Sequence, residues 1–241
     1  MWDTTKDYRL LIAEKSMNMF LRALETNSFK GHWNKKMARE SAQNMNSDFQ
    51  KISYSYMDPK DIAESTEIDS LENKAQDVIK YLGGDDWFHQ FLNLAKKDEK
   101  HKIEETLIRT RFFINTILGL RKRMAFGPIP DPIVGVDIQV GEIMSASLHD
   151  FSDDLMICNV NLGKRAIRVI TNDMTVKDGN KVGVALLPPD TFHGIVSEGM
   201  FLGAGEGIIK DIEGDLGEMP HGFPLEALNE TRNLLEVYLK D

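Results

Sequence analysis

The stretch Gly194-Ile195-Val196-Ser197-Glu198-Gly199-Met200-Phe201-Leu202 says most about how this 241-residue chain folds. A glycine turn leads into the polar segment Ser-Glu-Gly-Met, and an apolar strand follows directly. Upstream, residues 136–143 (Val-Asp-Ile-Gln-Val-Gly-Glu-Ile) have the pattern of a first strand with a glycine in its middle. Such a glycine marks a bend or a close backbone approach. The two segments enclose a region of short strands.

Short apolar runs separated by Gly and Asp turns fill the region between these segments. Asn161-Leu162-Gly163-Lys164 and Asp178-Gly179-Asn180 suit tight hairpin turns. The predicted strands cover residues 136–147, 154–162, 165–171, 181–187 and 199–203. Five short strands with a bent first strand predict a small β-barrel of the OB type over residues 133–215. Residues 216–241 form an extension with a short C-terminal helix from Pro224, whose predicted inward side chains are Leu225, Leu228, Leu235 and Leu239.

The N-terminal half has helical periodicity. Residues 1–126 predict an all-α helical bundle of four or five helices, the first with an apolar stripe of Tyr8, Leu11, Ile12, Met19, Phe20 and Leu24. Gly127 then opens a segment with three prolines, and residues 127–132 predict an extended linker because proline cannot continue a helix. The fold class is therefore multidomain α + β.

The C-terminal part resembles the EMAP-II-like tRNA-binding domain family. This OB-fold module also occurs in the methionyl-tRNA synthetase C-terminal extension and in the phenylalanyl-tRNA synthetase β chain. The resemblance covers roughly a third of the chain and implies an RNA-binding barrel. Asp137, Val140, Gly141 and Ile143 fit the opening strand, and Gly194, Ser197, Glu198, Gly199 and Met200 fit the family signature.

The two halves of the chain differ in net charge. Residues 1–129 hold 21 Lys+Arg and 19 Asp+Glu, a balance of +2, whereas residues 130–241 hold 8 and 19, a balance of −11. RNA affinity comes largely from neutralised phosphates. We therefore expect a basic cluster at the end of the last helix, before the linker, to assist an RNA held by the barrel. The alternative for this cluster is a solvated helix end.

The candidate RNA contacts combine cations with neutral hydrogen-bonding groups. Two arginines on the third strand can meet a phosphate or stack on a base, and three neutral side chains can bind a splayed-out base. The alternative for the two arginines is a solvated surface position, and the alternative for each neutral side chain is a structural role. Glu198 repels phosphate and is expected to organise its turn by accepting backbone N–H bonds. The RNA-binding candidates are Arg165, Arg168, Asn172, His193, Ser197, Met200, Arg121, Lys122 and Arg123.

These observations predict a non-catalytic RNA-binding accessory protein of translation, with tRNA as the expected ligand. We find no motif for phosphate-loop, serine-hydrolase or paired-cysteine chemistry, and His89, His101, Glu104 and Glu105 lack metal-ligand spacing. No catalytic residue, cofactor or metal is therefore expected. The alternative is a protein-interaction module that docks on an aminoacyl-tRNA synthetase or translation factor and has lost RNA binding. Binding that weakens steeply with salt would favour RNA.

Compartment and assembly are the remaining expectations. Cys158 is the single cysteine, and the chain begins without a signal-peptide pattern. The longest apolar runs stay well below the roughly 20 residues that span a bilayer. We therefore expect a cytoplasmic protein with no membrane contact. The family resemblance and the amphipathic tail favour a homodimer.

Overall fold

The computed structural model describes residues 1–26, 28–204 and 207–240. Its contacts divide the chain into two compact units, Met1–Gly135 and Val136–Asp241. The first unit is helical and the second is built on β-strands. The boundary falls at Gly135, beyond the last residue of the predicted linker.

Seven α-helices form the described part of the helical unit, where the periodicity predicted four or five. The two additional helices arise at breaks: Ser65 begins a new helix by accepting the Ile68 N–H, and Gly119 separates the last two helices. The helices are α1 (Tyr8–Ala23), α2 (Lys35–Ser53), α3 (Pro59–Ala63), α4 (Thr66–Leu82), α5 (Trp87–Leu94), α6 (Lys100–Leu118) and α7 (Leu120–Met124).

The buried stripe of α1 is rotated relative to the prediction. Ile12, Phe20 and Leu24 are buried as expected, and Phe20 stacks on Phe113 of α6 with ring centroids 4.8 Å apart. Leu10 and Met17 are buried in place of the half-buried Tyr8, Leu11 and Met19. Arg9, a charged residue outside the predicted stripe, is also fully buried.

Arg9 also fixes the segment that was predicted as a linker. Its guanidinium pairs with Asp7 at 2.6 Å, and its Nη1 donates to the carbonyls of Arg123 and Gly127 at 2.9 and 3.0 Å. Further along, a 3-10 turn over Pro132–Gly135 lies so close to α1 that a Cβ on Gly135 would stand 2.3 Å from the Ile12 side chain. Residues 127–135 are therefore held against the helical unit at both ends.

The second unit contains a five-stranded antiparallel sheet and a two-stranded one. In the larger sheet the strand order is β3-β2-β1-β4-β7. The predicted closed barrel is corrected here, because no ladder joins the edge strands β3 and β7. The strands are β1 (Ile138–His149), β2 (Ser152–Asn161), β3 (Ala166–Thr171), β4 (Lys181–Ala185), β5 (Asp190–Phe192), β6 (Ile195–Ser197) and β7 (Met200–Phe201).

The glycine of the first strand permits the close packing that its position suggested. A Cβ on Gly141 would lie 2.5 Å from Cγ1 of Val160 on β2. The β1–β2 register also shifts between Ile143 and Ser145, which bends the long strand. The core beneath it contains Ile143, Cys158, Val160, Leu162, Ile167, Val169, Val176, Val182, Val184, Leu186 and Phe201.

The small hairpin β5–β6 was not predicted. Its strands are joined by His193-Gly194, with φ values of 45° and 85°. Two consecutive residues with a left-handed backbone conformation are typical of the type I′ turn, whose twist matches that of the two flanking strands. Histidine is among the residues that adopt this conformation more readily than most. The His-Gly pair was therefore the available signal.

The tail follows the prediction only in part. It forms a 3-10 turn over Leu225–Leu228 and the helix α8 (Asn229–Lys240), in which Leu228 and Leu235 are buried. Leu225, at the start of the 3-10 turn, is 73% exposed, and Leu239 is half-buried.

Candidate nucleic-acid interface

Ser197 and Glu198 connect the signature segment to the free edge of β3. The Glu198 N–H donates to the Arg168 carbonyl at 2.9 Å, and the Arg168 N–H donates to Glu198 Oε1 at 3.2 Å. Ser197 Oγ accepts the Ile170 N–H at 3.0 Å and donates to the Gly199 carbonyl at 2.9 Å. Glu198 thus accepts a backbone N–H, as predicted, although the donor belongs to β3 and not to its own turn. One backbone bond and two side-chain bonds thus attach this segment, which precedes β7, to the edge of β3.

A polar row crosses three strands at the level of Arg168. Ser145 on β1 is paired with Asn159 on β2, and Asn159 is paired with Arg168 on β3. Asn159 Nδ2 donates to Ser145 Oγ at 2.9 Å. Asn159 is exposed, whereas Ser145 and Arg168 are half-buried. This polar row offers a guanidinium, an amide and a hydroxyl side by side, which is a surface that can bind a base edge and a phosphate.

Sequence reasoning missed two members of the polar row. Ser145 and Asn159 lie in apolar stretches and have no charge to attract attention. The signal that could have found them is strand alternation combined with the hairpin register, which places both on the face opposite the buried Cys158 and Val160.

The other predicted contacts in this unit do not gather at one place. Arg165 precedes β3 and the exposed Asn172 follows it, so the two are separated by roughly 20 Å of extended chain. His193 occupies the β5–β6 turn, where its ring lies 5.7 Å from that of His149. Met200 is half-buried, and Thr231 of α8 donates a hydrogen bond to its sulfur at 3.4 Å. Arg168 and Ser197 are therefore the predicted pair that the fold brings together.

The basic triplet of α7 does not present three cations together. Arg121 binds the carboxylates of Glu72 and Asp69, which raise its pKa above the usual arginine value. The side chain of Arg123 is only 2% exposed and donates to the Thr116 carbonyl. We therefore remove Arg123 from the candidate surface, since a contact with RNA would require the helix end to open. Lys122 is exposed and stays a prediction.

Two side chains near the sheet core have shifted pKa values. Burial, reinforced by Asp178 and Asp173, raises the pKa of the Cys158 thiol to about 11. Burial alone would raise the pKa of Asp173, but hydrogen bonds from Thr175 and from the Ile208 N–H lower it overall. Cys158 is therefore an uncharged core residue, and the Asp173 carboxylate joins the loop after β3 to residue 208.

Neither a metal centre nor a membrane span emerges within residues 1–26, 28–204 and 207–240. There, no three His, Cys, Asp or Glu side chains are grouped in a way that would hold a metal ion. In the same ranges, no helix combines the length and the apolar content needed to cross a bilayer.

Comparison with known families assigns both units. Residues 1–127 match a family described as "Alpha helical domain", which is more than half of the chain. Residues 138–225 match a family described as "Putative tRNA binding domain". The second match covers the five-stranded sheet, the small hairpin and the polar row.

Similar proteins of known identity are phenylalanine–tRNA ligase beta subunits. The one from Thermotoga maritima is 39% identical over 75 residues, which is 25% of this chain and 10% of the relative. The one from Acinetobacter baylyi is 30% identical over 138 residues, which is 51% of this chain and 17% of the relative. The chain thus matches between a tenth and about a sixth of the length of these relatives.

A crystal structure of a MetRS related protein from Pyrococcus horikoshii aligns with 24% of residues identical and a TM-score of 0.31. The alignment covers 34% of this chain and 87% of that one. From its family matches, the chain belongs to the alpha-helical-domain family and carries a domain of the tRNA-binding family at residues 138–225.

Proposed function

We propose that this chain is a non-catalytic tRNA-binding accessory protein of translation that acts in the cytoplasm. The observation that carries the proposal is the family match at residues 138–225. The similarity of parts of the chain to phenylalanine–tRNA ligase beta subunits supports a role beside a synthetase. No catalytic step is assigned to any residue.

The polar row is the surface that we assign to RNA. Arg168 supplies the charge, while Asn159 and Ser145 supply neutral donors and acceptors for an unstacked base. The side-chain bridge through Ser197 and Glu198 supports an OB-type arrangement, in which the strand face binds single-stranded segments. Arg165 and Lys122 stay predicted contacts, and neither belongs to the polar row.

The acidic balance of this unit limits the affinity that we expect. The strand face has few cations. Each contact between a cation and a phosphate therefore contributes a large share of the binding free energy. Recognition then depends on hydrogen bonds and base contacts more than on a broad electrostatic attraction. A structured RNA with accessible unpaired bases, such as tRNA, suits this surface.

Assembly through the tail belongs to the same proposal. Leu225, Leu234 and Val237 are exposed on the 3-10 turn and on α8. A second copy that covers them would form an isologous homodimer, the commonest way to bury such side chains. Sedimentation of the wild-type chain and of a Leu234→Glu, Val237→Glu variant tests this: the charges should convert dimer to monomer.

Fluorescence anisotropy with labelled total tRNA tests the RNA-binding proposal. We expect Arg168→Gln and Asn159→Ala each to weaken binding by roughly five- to tenfold, because each removes a hydrogen bond worth about 1 kcal/mol or more. Arg22→Gln, an exposed arginine on α1, is the matched control and should bind as the wild type does. If the wild-type chain binds no tRNA, the proposed function fails. If it binds and all three variants bind equally well, the polar row is not the site.

A further inference from the structure

A buried histidine joins two hairpin tips of the sheet unit by hydrogen bonds. His149, at the end of β1, is only 2% exposed. Its Nδ1 accepts the Phe151 N–H at 3.1 Å, so the ring proton is on Nε2, which donates to the Phe192 carbonyl at 3.2 Å. The β1–β2 tip and the β5–β6 hairpin are therefore fixed relative to each other by one neutral imidazole.

The joined tips present apolar side chains to solvent. Phe151 is 77% exposed, the largest exposed fraction of any Phe, Tyr or Trp among the described residues, and its ring centroid lies 6.2 Å from that of His149. Leu148 and Phe192 are also exposed. Because the backbone around them is fixed, a partner that covers them has less conformational entropy to remove. We call Leu148, Phe151 and Phe192 the tip surface.

Acidic residues flank the tip surface. Asp150, Asp153, Asp154 and Asp190 are all exposed. Residues 145–163 and 182–209 contain no lysine or arginine at all. Lys177 lies on the neighbouring turn, where the negative charge of the adjacent Asp178 offsets its positive charge. The Asp178 carboxylate is held there by the Ala146 N–H, which it accepts at 2.7 Å. The tip surface thus joins apolar side chains to a concentrated negative charge.

This combination disfavours RNA and favours a cationic partner. Four carboxylates repel phosphates, whereas they attract lysine and arginine side chains of a protein. The exposed phenylalanine supplies the kind of anchor that dominates protein interfaces. The tip lies beyond the end of β3, several residues from Arg168 in the strand register, so the polar row remains available to RNA.

We propose that the tip surface docks a basic, amphipathic helical segment of a partner protein, in which lysine or arginine side chains lie beside aliphatic ones. Phe151 packs against the aliphatic residues and the four aspartates pair with the cations. This interaction is independent of RNA binding at the polar row. Docking of the tip surface would hold the acidic sheet unit, with its proposed tRNA site, against the partner protein.

The test uses the full-length chain and two labelled synthetic helical peptides of about 18 residues, long enough to form helix on a surface. One peptide contains Lys and Leu at helical spacing, and the other contains Glu in place of Lys. We expect the Lys/Leu peptide to bind and the Glu/Leu peptide not to bind. Phe151→Ala should weaken binding by about tenfold, and Asp153→Asn with Asp154→Asn by roughly fivefold. Tyr54→Ala, an equally exposed ring on the helical unit, is the matched control.

Three results would overturn the inference. The first is equal binding of the Lys/Leu peptide to the wild type, to Phe151→Ala and to Tyr54→Ala. The second is equal binding of the two peptides, which would show apolar adhesion without charge recognition. The third is a loss of tRNA binding in Phe151→Ala with peptide binding unchanged, which would assign the tip surface to RNA. Unchanged tRNA binding in all variants, together with the peptide losses, supports the inference.

Discussion

Ser197 shows how one hydroxyl holds the signature segment in place. It is 4% exposed, and its Oγ both accepts the Ile170 N–H and donates to the Gly199 carbonyl. Ser197→Ala leaves a buried N–H without its acceptor, so we expect the sheet unit to lose about 1–3 kcal/mol of unfolding free energy. Amide hydrogen exchange of Ile170 reports this directly and should accelerate. Ser147→Ala, an exposed serine on β1, should leave that rate unchanged; equal effects of the two changes would remove Ser197 from this role.

Cys158 offers a second test at the residue scale. Its thiol is fully buried on β2, and burial, together with Asp178 and Asp173, raises its pKa to about 11. The thiolate is the reactive form. At pH 8 a thiol reagent should therefore react far more slowly with the native chain than with the chain in urea. A native rate equal to the unfolded rate would show that this part of the sheet is open.

Arg9 acts at the level of elements, because it fastens α1 to the end of α7 and to Gly127. Arg9→Met leaves the buried Asp7 carboxylate without its cationic partner, and we expect a cost of about 3–5 kcal/mol to the helical unit. All three tryptophans, Trp2, Trp33 and Trp87, lie in that unit, so their fluorescence in a urea titration follows its unfolding. Arg22→Met on the exposed side of α1 is the control. Equal midpoints for the two variants would contradict this account of Arg9.

Asp173 links two loops of the sheet unit and makes that link dependent on pH. Its pKa is lowered in the folded chain, so its stabilisation is fully present above the unfolded value of about 4 and is lost as pH falls through the lower folded value. Wild type should therefore lose more stability between pH 7 and pH 3 than Asp173→Asn does. Asp215→Asn, an exposed carboxylate, should behave as wild type. Denaturation followed by circular dichroism at both pH values measures the difference.

The elements that the sequence predicted are those with strong local signals. Proline at Pro59 after Asp58, the Gly83-Gly84 stop and the strand alternation of 136–147 all produced elements close to those observed. The burial of Arg9 in α1 could not be predicted, because it depends on carbonyls more than a hundred residues away.

The candidate site was predictable only where a residue carries charge or belongs to a recognisable motif. Arg168 was recognised, whereas Asn159 and Ser145 join it through a register that includes a shift near residue 144. Arg123 was misjudged for the opposite reason, since a basic triplet at a helix end says nothing about which member turns inward. The sequence identified Ser197 and Glu198 as part of a short motif. Their hydrogen bonds to β3 are tertiary contacts, which the motif alone does not predict.

The whole molecule combines a helical unit of nearly balanced charge with a sheet unit rich in acidic residues. With a balance of −11 over residues 130–241, any tRNA affinity must come from a small number of local contacts. The affinity should therefore still fall with salt, but less steeply than the sequence alone led us to expect, because the slope scales with the number of phosphates neutralised. The protein should differ clearly from basic RNA-binding proteins, whose affinity collapses as salt rises.

The most direct test of the central claim is the affinity of the full-length chain for total tRNA between low and moderate salt. With one to three phosphates neutralised, log affinity should fall linearly with log salt, with a slope of roughly −1 to −3. Arg168→Gln should make that slope shallower by about one. Binding that is absent even at the lowest salt, or that is independent of salt, would contradict the proposal that residues 138–225 bind tRNA through the polar row.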